Sequence, residues 1–123
     1  MAEVALALLE PEVDRDHVDL AYPLAAVGVS WMQQHKPKLA VPLLERALKI
    51  LQTWNQEATR LGDTRFALAR ALWDEGRALR RARTLAEEAR RDYQKEPSAT
   101  KQLADVEAWI ATSQVHPRTE LVR

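Results

Sequence analysis

A chain of 123 residues makes one domain with a continuous apolar core and is too short for two ordinary ones. Its 18 basic and 18 acidic side chains cancel, so no net field recruits nucleic acid or an anionic membrane, and neither is expected as a partner. The absence of cysteine excludes disulfides and thiolate metal sites.

Apolar residues recur at helical spacing along almost the whole chain, and no run alternates with the period of a strand. The expected fold class is all-α, with about six helices at 2–10, 17–34, 37–54, 57–75, 78–94 and 98–113. The first, within MAEVALALLE, carries Glu3 and Glu10, lacks a basic leader and is far too short to span a bilayer, so a soluble cytoplasmic protein is expected. After a break at Pro11 to Asp16, with Asp16 placed to cap, the second helix presents the stripe Leu24, Val27, Trp31. A break at His35 to Pro37 leads to the third helix, with Leu44, Leu48 and Leu51.

The run TWNQEATRLGD admits two boundaries: the third helix ends at Gly62, or it breaks near Asn55 and Gly62 falls inside the fourth. A helix-interior glycine costs up to ~1 kcal/mol, which favours the first; the internal repeat favours the second. Beyond Gly76 comes the fifth helix. The sixth follows Glu96 and Pro97, with Ser98 placed to cap it, and its stripe Leu103, Val106, Trp109, Ile110 is expected to cover the preceding helix. The tail 116–123 is polar and expected to fray.

Comparison of the chain with itself organises these helices. Ala5-Leu6 with Leu8 and Leu9 recurs 42 residues later as Ala47-Leu48 with Ile50 and Leu51, and the same shift carries Ala40 onto Ala82 and Ala47 onto Ala89. In the helices before these, Gly28 and Trp31 correspond to Ala69 and Leu72, a shift of 41, so one extra residue lies in the turn after Gly76. Pro11 to Asp14 then matches Thr53 to Gln56, which places the disputed break near Asn55.

The repeat resembles a tetratricopeptide repeat, whose signature of large, two residues, Leu-Gly, two residues, Tyr, then Ala, three residues, Phe, two residues, Ala is filled by size class as Leu24, Val27-Gly28, Trp31, Ala40, Leu44, Ala47. The second copy reads Leu68-Ala69, Leu72, Gly76, Ala82, Ala86, Ala89, with Arg65 where the first large residue belongs. The longer period, with HVDLA and ALKI, is similar to repeats of the kinesin light chain type. TRFALARALW also resembles arrays that follow the kinase domain in some large bacterial serine/threonine kinases. No kinase signature occurs, so no catalytic role carries over. The resemblance implies a right-handed solenoid of antiparallel helix pairs in which Gly28, Ala40 and Ala47 form a floor where two backbones approach to ~8–10 Å. It divides the domain 1–115 into the second helix of a truncated repeat (1–10), repeats at 17–54 and 57–94, and a capping helix at 98–113.

Candidates for chemistry are few, and neither a catalytic site, a metal site nor a cofactor is expected. His17, His35 and His116 lie in three separate turns without the i, i+4 pairing of a helical zinc site. Glu87 and Glu88 point about 100° apart, and Arg83 and Arg91 stand four residues either side of Glu87 as surface ion-pair partners. The run RALRRAR (Arg77, Arg80, Arg81, Arg83) has the charge for a phosphate patch, but Asp74, Glu75, Glu87 and Glu88 flank it and no Phe or Tyr interleaves it, which favours a solvated helix face.

In solenoids of this kind the first helix of each pair lines the concave ligand surface. The register places Tyr22, Val29 and Met32 there from one repeat and Phe66, Arg70 and Trp73 from the next, and these six are the expected ligand groove. The lysine and asparagine that clamp C-terminal carboxylates in this family are replaced here by Ala25 and Val29, so that clamp does not carry over. The expected function is a non-catalytic scaffold binding a protein or peptide segment with apolar anchors and an acidic group. The alternative is self-association, giving a homodimer, or a structural role, through the unpaired half repeat at the N-terminus.

Overall fold

The computed structural model describes residues 20–54 and 57–115. The predicted helix at 2–10 with its self-association face, the Asp16 cap and the tail 116–123 lie outside the described residues. Five helices follow one another: α1 (Ala21–Gln33), α2 (Pro37–Trp54), α3 (Ala58–Glu75), α4 (Leu79–Gln94) and α5 (Thr100–Val115), and no strand occurs among the described residues. Each helix packs mainly on its neighbours in sequence, while α1 and α3 touch only lightly. The break near Asn55 is observed, since α2 ends at Trp54 and Gly62 lies inside α3.

The small residues sit where the helices come closest. A Cβ on Gly28 would stand 2.7 Å from Leu44 Cγ, and Ala40, Leu44 and Ala47 are fully buried. Gly62 has the same role in the second pair: a Cβ there would meet the Tyr93 ring at 2.8 Å. The two contacts belong to one antiparallel pattern, because the internal shifts of 41 and 42 carry Gly28 and Leu44 onto Ala69 and Ala86, two helical turns from Gly62 and Tyr93. Position 62 therefore owes its glycine to the aromatic residue opposite, where the first pair has Ala21 and Leu51.

The turns show where the copies diverge. Lys36 N–H donates to Trp31 O at 2.9 Å across His35, and Arg77 N–H donates to Leu72 O at 3.2 Å across Gly76. Both spanned residues are left-handed, with φ of 59° and 77°, the usual ending of a helix that reverses direction. The first copy then enters α2 at Pro37, while the second inserts Ala78, also left-handed at φ 51°, before α4. Ala78 is the extra residue after Gly76.

Arg65, the departure from the repeat signature, is explained by its partner. Its Nη1 donates to Asp92 Oδ2 at 2.7 Å, with the two side chains 15% and 5% exposed. By the same shifts this pair stands where the first copy has Leu24 and Ile50, both buried. Where the first copy buries two apolar side chains, the second has an ion pair bridging α3 and α4, with Glu88 at its edge 4.0 Å from Arg65 Nε.

The last helix begins two residues later than expected. Ala99, 2% exposed, is drawn into the core, and the Ser98 hydroxyl donates to Glu96 Oε1 at 3.0 Å rather than capping α5. The helix still covers α4 as its stripe requires: Val106 is fully buried, and Leu103, Trp109 and Ile110 are half-buried against the core. Trp109 also reaches α3, meeting the Phe66 and Trp73 rings edge-on at 6.0 and 5.6 Å.

Candidate functional site

Because α1 and α3 touch only lightly while α2 packs against both, a cavity of ≈ 340 Å³ opens between them. Tyr22, Ala25, Ala26 and Val29 form one wall, Arg60, Asp63, Thr64 and Ala67 the other, and Leu44 and Leu51 of α2 contribute from behind. The alanines create the space, since larger side chains at 25, 26 and 67 would close it. A second cavity of ≈ 410 Å³ lies between α3 and α5, lined by Phe66, Arg70, Asp105, Ala108, Trp109 and Thr112.

The six residues expected to share one groove are thus divided by α3. Tyr22 and Val29, both exposed, line the α1–α3 cavity; Phe66 and Arg70 line the α3–α5 cavity. Met32 and Trp73 line neither and are half-buried against the core. Trp73 is covered by Trp109 and by the Arg83 guanidinium, 5.4 Å above its ring. Arg60, Asp63 and Ala67, and the α5 residues Asp105, Ala108 and Thr112, were not expected in the site. A signal for the first three exists: 60, 63, 64 and 67 make a stripe of their own, about a quarter turn of α3 from 66, 70 and 73. A helix with two neighbours on its open side offers each a different stripe.

The charges on these walls are mostly engaged. Arg60 lies 5.3 Å over the Tyr22 ring, with its Nε 3.3 Å from Glu57 Oε2. Asp63 accepts the Tyr93 hydroxyl at 2.6 Å. Burial first, and then this hydrogen bond, push the Tyr93 hydroxyl well above its ordinary pKa. Asp105 accepts from Lys101 Nζ at 3.3 Å. Arg70 differs: it is exposed, stacks 5.5 Å over Phe66, and has no acidic partner among the described residues.

The arginine run is dispersed. Arg77 donates to Glu75 at 3.0 Å, Arg81 makes a two-pronged ion pair with Glu45 of α2, and Arg83 turns inward to Trp73 and donates to Ser113 O at 3.0 Å. Glu87 pairs with Arg90, three residues on, instead of Arg83 or Arg91. The Arg81–Glu45 pair lines a third, more charged cavity of ≈ 900 Å³ between α2 and α4, on the opposite side of the helix pairs. His35 is exposed in its turn, and no group of three or more His, Asp or Glu side chains among the described residues is placed to hold a metal ion.

None of the described helices is long and apolar enough to cross a membrane. No protein-family model matches the chain, and no curated protein matches it in sequence.

Proposed function

We propose that the chain is a tetratricopeptide-like, right-handed array of helix pairs that acts without catalysis as a protein-binding scaffold, holding a partner segment along the side where α1, α3 and α5 are neighbours. The observation that carries this reading is the pair of adjoining open cavities on that side, with exposed apolar and aromatic walls and one cation, Arg70, that has no acid of its own among the described residues. Open surface of this composition gains by covering: apolar anchors contribute most of the affinity, and a partly exposed charge adds orientation. The close helix contacts at Gly28 and Gly62, which belong to one antiparallel pattern, and the repeated turn at His35 and Gly76 support the repeat reading.

Selection of a random linear peptide library on the immobilised chain tests the proposal. Enriched peptides are expected to bind in solution, and to lose affinity on Tyr22→Ala and Arg70→Glu while tolerating the Arg80→Ala/Arg81→Ala pair. Binding lost in the Arg80/Arg81 variant and retained in the other two would move the site to the α2–α4 side and overturn the proposal.

A further inference from the structure

Resting on the reading that this side binds a protein segment, we infer that the partner is an extended acidic segment lying across α3, with one apolar side chain in each cavity and a carboxylate between them on Arg70. The inference comes from the position of α3 as the wall common to both cavities. Ala67 faces α1 and Phe66 faces α5, so a segment that fills both cavities must cross α3, passing Arg70, which is exposed on the α3 rim of the α3–α5 cavity with its guanidinium over Phe66.

The separation sets the spacing. On α3 the walls centre near residues 63–64 and 68, which is about 7 Å along the axis at 1.5 Å per residue. Across the helix the cavities lie about 10 Å apart, one interhelical spacing. Together these give roughly 12 Å, which an extended chain covers in about four residues at ~3.3 Å each. Residues i, i+2 and i+4 of such a chain point to the same side. The apolar residues therefore stand at i and i+4, and the residue between them, i+2, points at α3.

Charge complementarity names that middle residue. Arg60 already has Glu57, and the acids Asp63 and Asp105 are engaged by Tyr93 and Lys101. What the surface lacks is an anion at Arg70, whose guanidinium is held over Phe66 with its donor edges unclaimed by any acid among the described residues. The expected pattern is apolar, any, Asp or Glu, any, apolar.

The same peptide selection tests this, followed by calorimetry of synthetic enriched peptides against the wild-type chain, Ala67→Trp, Ala108→Trp and Arg70→Gln. Ala67→Trp and Ala108→Trp each block one cavity. Enriched peptides should carry the pattern, and each block should weaken binding about tenfold or more. Changing the central Asp of the peptide to Asn should weaken it as much as Arg70→Gln, with little further loss when both are changed. Alanine in place of either apolar peptide residue should reproduce the block of its own cavity, which guards against a chain variant that fails to fold. Peptides that respond to only one block, or that bind as well without the carboxylate, would overturn the bridging of α3 while leaving groove binding intact. Peptides indifferent to both blocks, or no enrichment at all, would instead defeat the proposed function itself.

Discussion

Gly62→Ala is the substitution on which sequence and structure disagree in sign. Helix propensity alone favours alanine by ~0.8–1 kcal/mol, so a surface position would be stabilised. In the fold, the new Cβ would stand 2.8 Å from Tyr93 Cε1 and 3.1 Å from Cδ1 and Cζ, where carbon contacts settle at about 3.5–4.0 Å. The ring must retreat by over half an ångström, yet it is 2% exposed and tethered by its hydroxyl to Asp63 at 2.6 Å. Overpacking of this kind costs ~1–3 kcal/mol, and stretching the hydrogen bond adds up to ~0.5–1.5 kcal/mol. Set against the propensity gain, the midpoints of these ranges leave a net loss of about 2 kcal/mol, or roughly 6–12 °C in Tm for a domain of this size. Thermal unfolding followed by far-UV circular dichroism reads it directly. In a Tyr93→Phe background the ring is free to slide, and the cost of Gly62→Ala should shrink by ~0.5 kcal/mol or more. A higher Tm for Gly62→Ala would refute the reasoning, because it would mean that the Tyr93 ring does not rest on the α3 backbone. Gly28→Ala, facing Leu44 Cγ at 2.7 Å and Cδ2 at 2.8 Å, should lose stability too, and Gly28→Leu more.

The Arg65–Asp92 bridge gives a paired test: Arg65→Leu or Asp92→Ile alone strands a nearly buried charge and should cost ~3–5 kcal/mol in urea unfolding, whereas the double variant, which installs the residue types of Leu24 and Ile50, should return to within ~1 kcal/mol of wild type or exceed it. Additive losses would show that the two do not act as a unit. Tyr93 sets an alkaline limit. Its hydroxyl stays protonated in the fold above the ordinary value of about 10, so the unfolded chain releases this proton first and stability should fall as pH rises past that value. The wild type should lose more Tm between neutral and alkaline pH than Tyr93→Phe; parallel curves would remove Tyr93 from the account. Trp109→Ala should cost roughly 2 kcal/mol or more by withdrawing the ring packed on Phe66 and Trp73, and should reduce near-UV dichroism; an unchanged unfolding midpoint would mean that α5 is not docked there.

Much of the architecture is legible in one dimension because helical periodicity and small-residue spacing are local properties. The stripes follow from helical periodicity and the turns at His35 to Pro37 and around Gly76 from their proline and glycine, while the extra residue after Gly76 and the break near Asn55 follow from comparing the chain with itself, a match that overruled the propensity cost of placing Gly62 inside a helix. The sequence by itself also determined which residues share a face. Only the tertiary structure decided what comes to that face. Periodicity put Phe66, Arg70 and Trp73 on one stripe of α3, but the arrival of Trp109 from α5 turned Trp73 into packing and left Phe66 and Arg70 beside a cavity. Arg65 was an anomaly until Asp92 stood opposite it, and RALRRAR, expected as one solvated helix face, has its arginines drawn apart by Glu75, Glu45 and Trp73. The reason is geometric: a helix repeats every 3.6 residues whatever surrounds it, whereas the partner of a long side chain depends on how neighbouring helices are placed, and that is set by contacts summed over the whole core.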